Sequence, residues 1–243
     1  MTGIILAIAG LAMGGILKGA TGAGAPIIAV PLMAMYYDVP LAITVFAIPN
    51  LATNAVQAWT YRKAQLPPRF MLLFVISGAL GVIVGTLLLT NLSASSLTLM
   101  VGIAVFLYVG LRLSRRNWVL EYPLAEKLAG FVGLVGGTMF GATGLSAPVT
   151  LSFLNSMRLE RRQFIGTVTV FFVMMGVAQV PMLVWYGIMT GHKFLLSCGA
   201  ILPILAGMPV GGWLAKYMSR ETFDKVILGL LTLIAIKLLY QSL

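Results

Sequence analysis

Six apolar stretches, Leu41 to Trp59, Phe70 to Thr90, Leu97 to Leu111, Gln163 to Tyr186, Phe194 to Tyr217 and Phe223 to Leu239, leave this chain little choice but a lipid bilayer. One crossing of the hydrocarbon core takes about 20 apolar residues, with a range of roughly 17 to 25. The chain as a whole supports that reading: of its 243 residues 60% are hydrophobic and 9% charged, whereas a soluble domain carries about a quarter charged residues. A cytosolic enzyme, a disordered tail and a fibrous repeat are all excluded. The class that follows is all-α, integral to the membrane and multi-pass.

Charge narrows the partners. The 16 Lys and Arg outnumber the 6 acids and give a net charge of +10, a balance that would otherwise suggest nucleic acid. Here the basic residues fall in short clusters between apolar stretches, which is the pattern of membrane topology, not of a phosphate-binding face. Nucleic acid is therefore no expected partner. One cysteine, Cys198, and one histidine, His192, provide no metal-ligand spacing, so neither metal nor cofactor is expected. The first fifteen residues are apolar but lack a preceding basic region, and they are expected to stay in the fold.

Two further apolar stretches, Gly3 to Tyr37 and Leu124 to Met157, are too long for one ordinary span and are broken near the middle by Gly, Thr and Pro. Helix from Gly3 to Leu17 would be 15 residues long, about 22 Å at 1.5 Å per residue, and neither piece is expected to cross comfortably alone. The breaks resemble each other. Residues 14 to 26 read GGILKGATGAGAP and residues 136 to 148 read GGTMFGATGLSAP, 8 of 13 identical at a constant offset of 122. The same offset pairs Asp38 with Glu160 and Gln57 with Gln179. The chain thus divides into a first repeat, 1–116, a cytoplasmic linker, 117–122, and a second repeat, 123–243, within one membrane domain.

The charges orient the halves. If each broken stretch were one crossing, Arg158, Arg161, Arg162, Lys216, Arg220 and Lys225 would lie opposite the linker cluster of Arg112, Arg115, Arg116 and Lys127, against the positive-inside rule. If each is instead a re-entrant hairpin with its tip near the midplane, each half crosses three times and the second is inverted. Thirteen Lys and Arg then share the cytoplasmic side, against Lys193 outside. Both termini are expected to face away from the cytoplasm. Broken full spans are the alternative.

Irregular backbone at membrane depth is tolerated only where protein or a water-filled cavity satisfies its polar groups, which makes the breaks candidate sites. Pro26 and Pro148 suit the first turn of a restarting helix. Such a helix points free N–H groups and its positive dipole end at the tip, a receptor for an oxyanion. The expected binding groups are the tip amides at Gly22, Gly24 and Gly144, the hydroxyls of Thr21, Thr143 and Ser146, and Lys18, whose counterpart is Phe140. Asn50, Asn54 and Gln57 fall on one helix face and, with Gln179, would complete a polar lining. Two half-helix N-termini are expected to face one anion from opposite sides. The acids Asp38, Glu121, Glu126, Glu160, Glu221 and Asp224 all fall in loops or at span ends, which leaves no midmembrane carboxylate for a cation cage or proton relay.

Blander roles are assigned to other residues. The pairs Gly10/Gly14, Gly15/Gly19, Gly81/Gly85, Gly133/Gly137 and Gly207/Gly211 fit small-xxx-small helix packing. Trp59, Trp185 and Trp213 read as interface anchors.

With KGATGAGAPIIAVPLM, the polar helix PNLATNAVQAW and the second copy GATGLSAPVTLSFL, the chain resembles the TauE/SafE family, also called the toluene-sulfonate uptake permease family. The likeness covers both halves. It implies a permease of the cell membrane moving sulfite, thiosulfate or organosulfonates. The chain departs from it at the tips, where many members have three successive glycines. A secondary transporter is the reading that follows, with a passive channel of inverted half-helices as its alternative. An intramembrane enzyme lacks an acid/base pair, and a non-transporting membrane subunit or an assembly of several copies stays open.

Overall fold

The computed structural model describes residues 2–114, 119–217 and 220–242, and these form helices without a strand among them. In chain order they are α1 (Thr2–Thr21), α2 (Ala25–Ala34), α3 (Val39–Thr60), α4 (Pro68–Asn91), α5 (Ala94–Leu113), α6 (Tyr122–Thr143), α7 (Ala147–Ser156), α8 (Arg161–Trp185), α9 (Gly191–Gly199), α10 (Ile201–Tyr217) and α11 (Arg220–Ser242). Arg115 and Arg116 of the expected basic cluster lie outside the described residues, as do the side chains of Glu221 and Asp224. Local signals set the starts. Asp38 caps α3 by accepting the Leu41 N–H at 2.6 Å, Ser93 caps α5, and proline occupies the first turn of α2, α3, α4, α6 and α7.

Each interrupted stretch folds as a long arm, a three-residue break and a ten-residue arm: α1 and α2 flank residues 22–24, and α6 and α7 flank residues 144–146. The bounds of α2 and α7 keep the sequence offset, since 147 − 25 and 156 − 34 both equal 122. The long arms correct an expectation. Helix α1 does not stop at Leu17 but runs on through Lys18 to Thr21, and its 20 residues cover about 30 Å. Length alone therefore does not prevent it from crossing. Among the described residues, seven stretches are long and apolar enough to do so: α1, α3, α4, α5, α8, residues 191–217 and residues 225–242.

The short arms turn back beside the long ones. A methyl added at Gly14 would meet the Ala25 carbonyl, one at Gly10 the side chain of Leu32, and one at Gly3 that of Tyr37, so α2 descends antiparallel to α1. In the second hairpin Thr150 lies against Gly136, Phe153 packs on Phe70 and Phe74 at 6.2 and 6.1 Å between ring centroids, and the Ser156 carbonyl accepts the Leu120 N–H at 2.9 Å. Each hairpin thus leaves by the end at which it entered.

Glycine decides which helices meet. Gly15 and Gly19 lie against the carbonyls of Ile204 and Met208, and Gly207 and Gly211 against those of Ala12 and Ile16, so α1 and α10 run parallel at backbone contact. Gly133, Gly137 and Gly141 do the same against Phe74, Gly78 and Val82, joining α6 to α4. In hydrocarbon no hydrophobic force draws helices together, and close backbone approach supplies the dispersion that does. Helices α3 and α8 run antiparallel, with Gly176 on Leu51 and Gly166 on the Tyr61 and Ala64 carbonyls.

The ends of the bundle differ. At one end Arg69 faces Glu126 at 3.9 Å, and Arg112, Arg158 and Arg161 share a cavity. At the other end Lys237 Nζ donates to Tyr36 Oη at 3.4 Å and Ser95 Oγ to the Ser242 carbonyl at 2.8 Å, with Gly3 beside Tyr37. The start of α1 and the end of α11 therefore sit opposite the arginines. Trp59, Trp185 and Trp213 are all exposed on the outer surface, and Trp59 stacks under Arg62 at 4.4 Å.

Candidate functional site

The breaks are shaped by glycine. Gly22, Gly24 and Gly144 have φ of 83°, 95° and 72°, the left-handed region that side chains with a Cβ enter at a cost. Gly24 caps α2 and Ser146 caps α7, with Pro26 and Pro148 in the first turns as the sequence predicts. Residues 22–26 and 141–148 are buried in protein. The two threonines brace this geometry. Thr21 Oγ1 donates to the Leu17 carbonyl at 2.8 Å and Thr143 Oγ1 to that of Met139 at 2.7 Å, while Thr143 Oγ1 also accepts the Leu145 N–H at 3.2 Å. Both hydroxyls, expected to point at a ligand, are spent on the backbone of their own hairpins.

Three of the polar residues expected to act together do meet. Lys18 is 2% exposed and its Nζ donates to Asn54 Oδ1 at 2.7 Å. Asn54 Nδ2 in turn donates to Asn50 Oδ1 at 2.8 Å and to the Asn50 carbonyl at the same distance. Asn50 Nδ2 closes the string without a partner, and Gln57 Oε1, one turn from Asn54, is also buried and unpartnered. Membrane-buried ionisable side chains pair with one another or with backbone carbonyls; Lys18 Nζ meets a neutral amide oxygen. Phe140 occupies the counterpart position in the second hairpin, where Gln179 Nε2 donates to the Gly141 carbonyl at 3.2 Å instead.

The second tip has its own unpartnered groups. Ser146 Oγ and Thr150 Oγ1 stand one turn apart on α7, and Thr86 Oγ1 lies on α4 where that helix touches Gly141. All three are buried without a hydrogen-bond partner. Thr86 and Thr150 escaped the sequence reading because a lone threonine in an apolar helix usually bonds the carbonyl one turn back.

The two hairpins touch α3 and α8 at separate positions. On α3 the first hairpin meets Asn54 through Lys18 and the second meets Ile43 through Gly144, 11 positions or about 16 Å apart along the helix. On α8 the contacts of Gly22 with Ile165 and of Gly141 with Gln179 lie 14 positions apart, about 21 Å. The long arms overshoot the middle of the bundle in opposite senses: Gly141 reaches Thr86, near the end of α4, and Ala20 reaches Gly211, near the end of α10. Between the hairpins, Gly144 of the second tip lies against Val30, five residues into α2 from Ala25.

Beneath the first tip, at the arginine end, lies a cavity of about 610 Å³. Thr21, Ala23 and Gly24 line it together with Arg112 of α5, Arg158 of the α7–α8 turn and Arg161 of α8, and no Asp or Glu is among the described lining residues. The arginines read from sequence as topology markers only, because nothing in their spacing shows that the ends of α5 and α7 and the start of α8 come together.

A family model described as Sulfite exporter TauE/SafE matches residues 6–238. No curated protein and no solved structure matches the chain.

Proposed function

Because the chain belongs to the TauE/SafE family, a family of membrane transporters, we propose that it is a secondary transporter carrying a small sulfur-containing anion, such as sulfite, thiosulfate or an organosulfonate, across the cell membrane. The observation that carries this reading is the buried Lys18 ammonium, held against neutral Asn54 at 2.7 Å beside a broken helix. In this reading the lysine is charged and meets no counter-ion among the described residues, which favours an anionic guest, and the N-terminus of α2 adds its dipole and free N–H groups nearby.

Polar groups at both tips suit alternating access. In this reading the Lys18, Asn54 and Asn50 string serves the anion near one face, and Gly144, Ser146 and Gln179 serve it near the other. The exchange of partners between halves, α1 with α10 and α6 with α4, supports two repeats of opposite orientation, 1–116 and 123–243, as does the placing of the start of α1 and the end of α11 away from the arginines. The hairpins are then re-entrant, each with its tip beyond the midplane.

Counterflow tests the proposal. Purified protein in liposomes preloaded with unlabelled sulfite is expected to accelerate entry of labelled sulfite, and to saturate with external concentration. Entry that is neither accelerated nor saturable would assign a passive pore to the same half-helices, and no entry of sulfite, thiosulfate or any sulfonate would indicate a non-transporting subunit.

A further inference from the structure

The cavity at the arginine end has a mixed lining. It carries the guanidinium-bearing Arg112, Arg158 and Arg161, and Gly24 at the N-terminus of α2. The same lining includes the apolar Leu151 and Leu154 of α7 and Phe164 of α8. Arg161 reaches the Ala20 carbonyl at 3.4 Å, which fixes it to the last turn of α1. Arg158 sits in the left-handed region at φ 49°, a conformation unusual for a residue with a long side chain, at the turn between α7 and α8. Lining residues come from the first hairpin, α5, α7, α8, α10 and α11, so the space lies among several helices.

Size speaks to the guest. At about 30 Å³ per water, 610 Å³ holds on the order of twenty waters, several times what a bare sulfur oxyanion displaces. It lies in the range of pockets that enclose a small organic molecule, roughly 300 to 1,000 Å³. Guanidinium groups match the oxygens of sulfonate, sulfate or phosphate, and leucine and phenylalanine match a hydrocarbon body.

We propose that this cavity is a second anion site, distinct from the Lys18 string, which takes an oxyanion with a compact apolar body, its head on Arg112, Arg158 and Arg161 and its body against Leu151, Leu154 and Phe164. The site loads or receives the transported anion at the arginine end, and in that purpose it rests on the transport reading. The binding itself does not. A phosphate headgroup of lipid shares the head chemistry, and a space set among several helices favours the soluble guest.

Equilibrium binding to the full-length protein in lipid-free micelles tests the site apart from flux. The probes are benzenesulfonate, methanesulfonate and phosphatidylglycerol. Benzenesulfonate is expected to bind at least tenfold more tightly than methanesulfonate, the Arg112→Gln, Arg158→Gln double variant to weaken both by tenfold or more, and Phe164→Ala to weaken benzenesulfonate alone. Should the double variant not stay monodisperse, Arg158→Gln alone, with its exposed side chain, makes the same test. Unchanged benzenesulfonate binding in a folded arginine variant would overturn the site, and equal affinity for the two sulfonates would overturn the part given to its apolar lining. Binding of phosphatidylglycerol but of neither sulfonate would make it a lipid site and sink the proposal. Binding as expected without counterflow of sulfite, thiosulfate or any sulfonate leaves the site standing and removes the transport reading instead.

Discussion

The Lys18 ammonium and the Asn54 side chain meet across 2.7 Å, and this one bond ties the last turn of α1 to the face of α3 that carries Asn50. Charge and hydrogen bonding can be separated there. Lys18→Gln can still donate to Asn54 but has no charge, whereas Lys18→Met loses both. If the charge attracts the anion, both variants are expected to lose tenfold or more of sulfite uptake in liposomes while keeping a monodisperse folded yield. Uptake that survives in Lys18→Gln and falls only in Lys18→Met would assign the lysine to positioning of α3. Unchanged uptake in both would remove it from the site.

Ser197 repairs a break in α3. Pro49 has no N–H to offer the carbonyl of Val45, four residues back, and Ser197 Oγ of α9 donates to that carbonyl at 3.0 Å while accepting the Ile48 N–H at 3.1 Å. In hydrocarbon no water replaces such a partner. Ser197→Ala is expected to destabilise the protein by about 1 to 3 kcal/mol, read as a fall of several degrees in melting temperature in detergent, with Ser197→Thr recovering part of it. An unaltered melting temperature in Ser197→Ala would show that the carbonyl finds another donor.

Two glycines of α6 predict opposite outcomes. A methyl at Gly137 would press into the backbone of Gly78, whereas one at Gly130 has nothing within 4 Å. Gly137→Ala is expected to force α4 and α6 apart and cost about 1 to 3 kcal/mol. Gly130→Ala should instead stabilise the helix by about 0.5 to 1 kcal/mol. Thermal unfolding of the two variants side by side checks the contact, and equal effects would contradict it.

These contacts also mark what the sequence makes legible. Helical spans and the doubled break follow from apolar run length and from the repeated GATG with its proline, since hydrocarbon permits few alternatives to helix. The pairing of Lys18 with Asn54 was anticipated only as membership of one polar set; its geometry depends on how α1 packs on α10 and α3, which no local pattern encodes. The overshoot of the tips was missed for a related reason. Gly19 looks like a helix breaker in isolation, yet α1 continues through it and Ala20, whose small size lets α10 approach. Arg112, Arg158 and Arg161 were legible as charges and not as neighbours, because three separate helix ends bring them together.

Orientation gives the sharpest test of the hairpins, because two arrangements of the same helices differ in sign at particular residues. With Cys198 replaced by alanine, single cysteines at Lys63, Ser95, Arg162 and His192 all fall at exposed positions. If the arginine end is cytoplasmic and each hairpin leaves by the side it entered, an impermeant maleimide applied to intact cells is expected to label Ser95 and His192. Lys63 and Arg162 should react only after the cells are opened. Eight full crossings would leave Lys63 and Ser95 as they are but exchange Arg162 and His192, since the second half would then share the orientation of the first. Labelling at Arg162 with none at His192 would therefore rule out the re-entrant reading, and with it the placing of the arginine-lined cavity on the cytoplasmic side.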